Sequence, residues 1–185
     1  MPKFDDYQAP FEEVKHIVET FVEKFPSVFS GFRVNDVGFV LTKRKKPRGR
    51  HPIKVRSVSY PYFVFSGLTY IFEVLETKWE DLDRKRRNLA VFHAMCSVPV
   101  DGFDVDSKDY GKIVKPDFLL YRAEYAAAGG VADWFEDDRA RDPMDAERDD
   151  VSVTNADDEN PIPSSGSKSP VTEKEIMETA EEVLS

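Results

Sequence analysis

Residues 68–96 decide the fold, with the sequence LTYIFEVLETKWEDLDRKRRNLAVFHAMC. Residues 68–75 are rich in aromatic and β-branched side chains, which is typical of a β-strand. From residue 79 to residue 96 the apolar side chains recur every three or four positions, while residues 84–87 are all basic and face water. The stretch therefore predicts a strand followed by an amphipathic helix.

Further elements are predicted on both sides of this stretch. Residues 11–25 have helical apolar spacing between Pro10 and Pro26. Residues 32–42 and 53–59 predict two strands, the second returning along the first as a hairpin. The order helix, three strands, two helices predicts an α+β fold, in which a small antiparallel sheet has flanking helices.

The C-terminal side of the domain is predicted from turn residues and glycines. Residues 97–115 are dominated by glycine and aspartate and predict a loop. Pro116 suits the first position of a helix, and Gly129-Gly130 suits its end. We expect residues 133–135 to anchor the end of the domain.

Aromatic residues and charge divide the chain into three parts. No aromatic residue follows Phe135. Residues 136–185 hold 16 acidic and 5 basic side chains, so the net charge of −9 of the whole chain comes from this part. We therefore expect a globular domain over residues 1–135 and a disordered acidic linker over residues 136–169. Residues 170–185 predict a short amphipathic helix. It either binds an unknown protein partner in a groove, or is a frayed end or docks on its own domain, and the sequence does not separate these alternatives. Its apolar edge consists of Ile176, Met177, Ala180, Val183 and Leu184.

Several classes of protein are disfavoured by composition. No run of 18 apolar residues is present, so we expect no membrane span. The first residues lack the apolar stretch of a signal peptide. Cys96 is the only cysteine, which excludes an internal disulfide. These features predict a cytoplasmic protein.

Residues 68–96, with His93 near the end of the predicted helix, precede a segment in which Lys115-Pro116-Asp117 is followed by Gly129-Gly130 and Trp134. This order and spacing resembles a family of phage metallopeptidases over about residues 10–135. The resemblance implies a zincin-like core and a viral or prophage protein working in the host cytoplasm. It also implies an HExxH helix, in which two histidines and a downstream residue bind zinc and a glutamate acts as general base.

The chain departs from that motif at most of its positions. His93 matches the first histidine and Asp117 matches the aspartate of the downstream segment. Ala94 stands in place of the glutamate, Ser97 in place of the second histidine, and Pro116 in place of the downstream histidine. With one zinc ligand of three and no base, the resemblance implies a pseudoenzyme that acts by binding, and zinc as a cofactor is doubtful.

A rebuilt metal site is the enzymatic alternative. His93 and Cys96 lie one helical turn apart, and Asp117 or the loop carboxylates of Asp104, Asp106 and Asp109 would complete the ligand set of a metal-dependent hydrolase. The simpler interpretation makes Cys96 a small buried residue and His93 a hydrogen-bonded residue at the edge of the core. We favour the simpler interpretation.

A basic segment supports a third hypothesis, nucleic-acid binding. Residues 43–56 hold eight lysine and arginine side chains, and aromatic residues follow them. Such an arm binds phosphates with little sequence preference. Its predicted contacts are Lys43, Arg44, Lys45, Lys46, Arg48 and Arg50. The alternative is a solvated loop, and the acidic tail could fold back over this arm and compete with nucleic acid.

Overall fold

The computed structural model describes residues 7–8, 11–43, 51–59, 61–115, 121–131, 133–134 and 137–147. Four strands and five helices are assigned within these residues. None of the described helices is both long enough and apolar enough to cross a membrane. The elements are β1 (Tyr7–Gln8), α1 (Glu12–Lys24), a 3-10 turn (Val34–Asp36), β2 (Val37–Thr42), β3 (Ile53–Ser57), α2 (Tyr62–Ser66), β4 (Tyr70–Leu75), α3 (Glu76–Glu80), α4 (Arg84–Cys96) and α5 (Arg122–Ala127).

The strands form one mixed sheet in the order β1-β2-β4-β3. The α+β class is confirmed, but the predicted antiparallel sheet is wrong, because β2 and β4 pair in parallel from Val37↔Tyr70 to Thr42↔Leu75. The predicted hairpin is wrong as well, since β3 pairs with β4 and not with β2. Five of the six β4 residues are buried, and a strand buried on both faces takes the inner position of a sheet.

The core lies between the sheet and the helices α1 and α4. Phe92 of α4 meets Phe21 of α1 with ring centroids 5.3 Å apart, and Phe29 at 5.1 Å. On the sheet, Phe72 of β4 contacts Phe39 of β2 at 5.7 Å. All five rings are buried, and edge-to-face pairs of this kind add to the free energy of apolar burial.

The helix predicted over residues 79–96 is two helices. Helix α3 ends at Glu80 and α4 begins at Arg84. The carboxylate of Asp83 accepts a hydrogen bond of 2.7 Å from the backbone N–H of Arg86, which caps the new helix. The helix predicted to begin at Pro116 is described from Arg122 onward, and residues 116–120 lie outside the described part.

Residues 137–147, which we name the strap, lie against the domain beyond the predicted boundary at residue 135. Ala140, Pro143 and Ala146 are buried, so this part of the acidic segment packs where the sequence predicts disorder. Three small apolar side chains at every third position make the contact, a pattern that the high charge of the segment obscures. Residues 148–185, with the predicted terminal helix, lie outside the described residues.

Candidate functional site

A buried carboxylate, Glu124 on α5, connects several chemically active side chains. Glu124 is fully buried. Trp134 donates its indole N–H to Oε1 at 2.7 Å, and Nδ1 of His93 lies 2.8 Å from Oε2. The backbone N–H of Tyr121 is 3.3 Å from Oε2. Three polar groups therefore compensate for the loss of water around this carboxylate.

Aromatic rings enclose His93 on α4. The ring of His51 stacks on it with centroids 3.9 Å apart and planes 8° apart. The ring of Tyr121 lies 5.2 Å away, and Trp134 contacts His51 at 6.3 Å. The His93 side chain is 13% exposed. Glu124 holds its edge and His51 covers its face, and we name these five residues the His93 centre.

The His93 centre supplies few ligands for a zinc ion. An imidazole binds metal through a lone pair in the plane of its ring, at about 2.0–2.1 Å. The planes of His51 and His93 are nearly parallel and separated, so the two rings cannot both point at one ion. Nδ1 of His93 is bonded to Glu124, which leaves Nε2 as the ring nitrogen open to a metal. Across the described ranges, no group of three or more His, Cys, Asp or Glu side chains is arranged to hold a metal.

The two positions that the resemblance assigns to the base and the second histidine are turned into the interior. Ala94, in place of the glutamate base, is 1% exposed. Ser97, in place of the second histidine, is also buried, and its hydroxyl donates a hydrogen bond of 2.6 Å to the carbonyl of Ala94. Both residues therefore contribute to packing and hydrogen bonding at the end of α4. Pro116 and Asp117 lie outside the described residues.

Cys96 packs against the core at the end of α4. Burial, and then the nearby charge of Glu124, raise the pKa of its thiol well above the usual value. Burial also raises the pKa of Tyr121, with smaller contributions from Cys96 and Glu124. Both groups keep their protons at neutral pH, so the Cys96 thiol is a poor nucleophile.

The loop aspartates that were candidate ligands make local contacts. Asp104 accepts a hydrogen bond of 3.1 Å from the backbone N–H of Asp106. Asp109 lies 3.2 Å from the ammonium group of Lys112. These contacts stabilise turns within the loop.

The predicted nucleic-acid contacts are described only at their start. Lys43 is exposed, with its ammonium group 3.9 Å from Glu76. Arg56, on β3, forms an ion pair of 2.7 Å with Glu73. Outside the described residues lie Arg44, Lys45, Lys46, Arg48 and Arg50, and also the partner-binding residues Ile176, Met177, Ala180, Val183 and Leu184. Both sites remain predictions.

An exposed apolar surface lies on α2, a helix that is not among the elements predicted from the sequence. Tyr62, Val64 and Phe65 are 69%, 58% and 86% exposed. Tyr62 and Phe65 line a groove of about 530 Å³, together with Leu68 and Ile71. Residues 57–59, at the end of β3, line its other side. We name this groove and the helix the α2 surface.

Sequence reasoning also missed the residue at the middle of the His93 centre. Glu124 lies between Tyr121 and Tyr125, two aromatic residues at helical spacing. A carboxylate beside an apolar stripe signals a buried polar contact, but its partners His93 and Trp134 are 31 and 10 residues away. Contacts between residues so far apart in the sequence can be identified only in the folded structure.

Comparison with known proteins gave no match. No model of a protein family matches the chain, and no curated protein and no solved structure has significant similarity to it.

Proposed function

We propose that this chain carries a metallopeptidase-like domain that acts by binding a partner protein and not by zinc-dependent hydrolysis. The order of β4 and α4, with His93 on the last turns of α4, is compatible with the family resemblance. Ala94 and Ser97 supply neither a base nor a second imidazole ligand. The scaffold is thus proposed to be a zincin-like core without its chemistry.

The state of His93 carries this proposal. Its Nδ1 is engaged by a fully buried carboxylate at 2.8 Å, and its face is covered by His51. Zinc at Nε2 could keep the pair with Glu124, but the stacked ring of His51 cannot turn a lone pair toward the same ion, so His93 would be its one imidazole ligand in this centre. Freeing Nδ1 as well would leave a buried carboxylate without its partner, at a cost on the order of 3–5 kcal/mol. The histidine is therefore better suited to hold α4 against α5 than to bind a metal.

The α2 surface is the proposed binding site. Three neighbouring large apolar side chains on one short helix are uncommon on a protein that works alone, and contiguous apolar patches mark interaction sites. Among the described strands, β3 pairs with β4 alone, so its other edge can accept a further strand. The exposed Lys54 gives this edge positive charge, and the partly exposed Arg56 beside it is paired with Glu73.

This combination favours an extended partner segment that has apolar anchors and acidic neighbours. Main-chain hydrogen bonds to β3 would supply part of the affinity, and apolar side chains would enter the groove beside Phe65. Acidic residues of the partner would lie near Lys54 and Arg56. The occupant is thus a peptide segment of a protein.

Metal content tests the catalytic half of the proposal. The full chain, purified in the presence of zinc, is expected to contain substoichiometric metal by mass spectrometry and to leave a fluorogenic peptide library uncleaved. Stoichiometric zinc that is lost in His93→Ala would overturn this half and revive the hydrolase alternative.

Peptide selection tests the binding half. A displayed library of random peptides is expected to yield binders with alternating apolar residues and acidic neighbours. Phe65→Ala should abolish their binding. Val105→Ala is the matched control, since Val105 is 65% exposed and lies outside the α2 surface, and it should leave binding intact. Equal binding by both variants would remove the α2 surface as the site.

A further inference from the structure

The strap crosses the basic first half of α4. Nη2 of Arg86 lies 2.6 Å from Oδ1 of Asp138, and Nζ of Lys85 donates to the carbonyl oxygen of Asp138 at 2.8 Å. The first four residues of α4 are all basic, whereas the strap has five acidic and two basic side chains. The two surfaces therefore have complementary charge.

A buried amide on α4 binds a specific carboxylate of the strap. Asn88 is 3% exposed, and its Nδ2 lies 2.9 and 3.0 Å from the two oxygens of Asp142. The same carboxylate accepts a hydrogen bond of 2.9 Å from the backbone N–H of Met144. Because a buried amide needs a polar partner, this position of α4 is built to receive an acidic side chain.

The groove also binds the main chain of the strap. Lys85 donates to the carbonyl of Asp138, and Lys24 at the end of α1 donates to the carbonyl of Met144. The backbone N–H of Arg141 donates to the carbonyl of Ala128 at 2.9 Å. Backbone carbonyls and amides are features of a peptide, and a nucleic acid has none. These contacts favour a peptide over a nucleic acid as the ligand of this groove.

The contacts between the strap and the domain are weak enough for another peptide to replace the strap. Its buried apolar side chains are small, namely Ala140, Pro143 and Ala146. The Asp138 side chain is 87% exposed, so water and salt weaken its pair with Arg86. Segments with few apolar contacts open locally before the rest of a domain.

The groove extends beyond the strap. A pocket of about 500 Å³ remains between α1 and α4, lined by His16, Arg84, Arg87 and Met144 among others. Arg87 is paired with Glu13 at 2.9 Å, whereas Arg84 forms no ion pair with any described residue. A ligand with longer side chains than those of the strap would fill this space and reach Arg84.

We propose that the groove between α1 and α4 is a binding site for acidic peptide segments of other proteins, and that the strap occupies it as an internal competitor. The recognised feature is two acidic side chains four residues apart, as Asp138 and Asp142 are, with a small residue between them. Binding in trans requires the strap to leave. This site is independent of the α2 surface.

A labelled peptide with the sequence of the strap, DDRARDPMDAE, provides the probe. The full-length double variant Asp138→Asn with Asp142→Asn loosens the strap, so the groove is free for a larger fraction of the time. The apparent Kd falls in proportion to that fraction, and we expect a fall of about tenfold or more relative to the unaltered chain. Adding Asn88→Ala should abolish this gain, and a scrambled peptide should not bind.

The control is Asp145→Asn with Glu147→Gln. It changes the net charge by the same amount at two exposed strap positions whose side chains form no hydrogen bond or ion pair with the described part of α4. Equal peptide affinity in the control and the test variant would overturn the proposal. Tighter binding of an oligonucleotide, without peptide binding, would also overturn it and assign the basic face to nucleic acid.

Hydrogen exchange on the unaltered chain keeps the proposal testable if the double variant does not fold. The strap amides are expected to exchange at least about tenfold faster than those of α4, because local opening precedes unfolding of the domain. Exchange of strap and α4 at one common rate would mean that the strap is a fixed part of the fold, and the proposal would fail.

Discussion

The His93 centre and the α2 surface contain similar side chains but place them in opposite environments. In the His93 centre, aromatic rings and polar groups close around a fully buried carboxylate, and His93 is 13% exposed. On the α2 surface, aromatic rings stand in water, with Phe65 86% exposed. The polar and aromatic groups of the His93 centre are therefore used inside the domain, whereas the rings of the α2 surface face the solvent.

This difference separates sequence likeness from accessible function. The resemblance assigns His93 to a motif position, yet Glu124 holds its Nδ1 and His51 covers its face. Phe65 belongs to no motif, yet it presents nearly its whole ring to a partner. Two results would contradict this contrast. One is that the His93 centre contributes little to stability, and the other is that the α2 surface contributes much.

The largest effect is expected from Glu124→Ala. The substitution leaves His93 and the buried indole N–H of Trp134 without their shared acceptor, and unsatisfied buried groups cost about 1–3 kcal/mol each. We expect the free energy of unfolding in urea to fall by about 3 kcal/mol or more. The matched control is Glu80→Ala, an exposed glutamate on α3, which should change it by less than about 0.5 kcal/mol.

Equal losses for the two glutamate variants would contradict the contrast. The pair between His93 and Glu124 would then contribute little to stability, and His93 would be free to take part in other chemistry.

A smaller effect is expected at alkaline pH from Tyr70, a second buried polar group. Burial, followed by the charges of Tyr110 and Asp109, raises the pKa of Tyr70 to about 12 from 10.0. Its hydroxyl lies 3.1 and 2.9 Å from the carbonyl oxygens of Gly102 and Lys112. The neutral phenol is therefore the form that the fold accepts.

The sign of the pH dependence follows from the raised pKa. Between pH 10 and 12 the unfolded chain loses the Tyr70 proton while the folded chain keeps it, so stability is present below pH 10 and lost as the pH rises. We expect this tyrosine to contribute about 1–2 kcal/mol of alkaline destabilisation. Tyr70→Phe should flatten the curve of unfolding free energy between pH 9 and 11 by a comparable amount. An unchanged slope would mean that Tyr70 titrates as an exposed phenol.

The sequence predicts the elements of this fold better than their arrangement. The apolar spacing of α1 and the β-rich composition of residues 70–75 are local properties, and both elements form. The position of β4 between β2 and β3 depends on burial of both its faces, which a short apolar run indicates only weakly. Asp83 gave a stronger signal that was not used, since an aspartate before a basic helical run is a typical N-cap.

The candidate site was predicted less well for a related reason. His93 was identified from a motif, but its partners Glu124, His51 and Trp134 come from segments that no local pattern connects. The packing of the strap was not predicted, because its sequence is dominated by charged residues and contains only three small residues that become buried. No sequence pattern indicates that α2 is exposed, since Tyr62 and Phe65 are aromatic residues of the kind usually found in a core.

The smallest effect on stability is expected at the α2 surface. Phe65→Ala removes a ring that is 86% exposed, so the free energy of unfolding should change by less than about 0.5 kcal/mol. The same change at Phe103, which is 3% exposed and contacts the rings of Phe32 and Tyr70 at 5.2 and 5.1 Å, should cost about 3–5 kcal/mol. Urea unfolding of both variants measures the difference. A loss above about 1 kcal/mol for Phe65→Ala would mean that its ring stabilises the domain itself, and the α2 surface would then no longer stand apart from the core as a surface kept for binding.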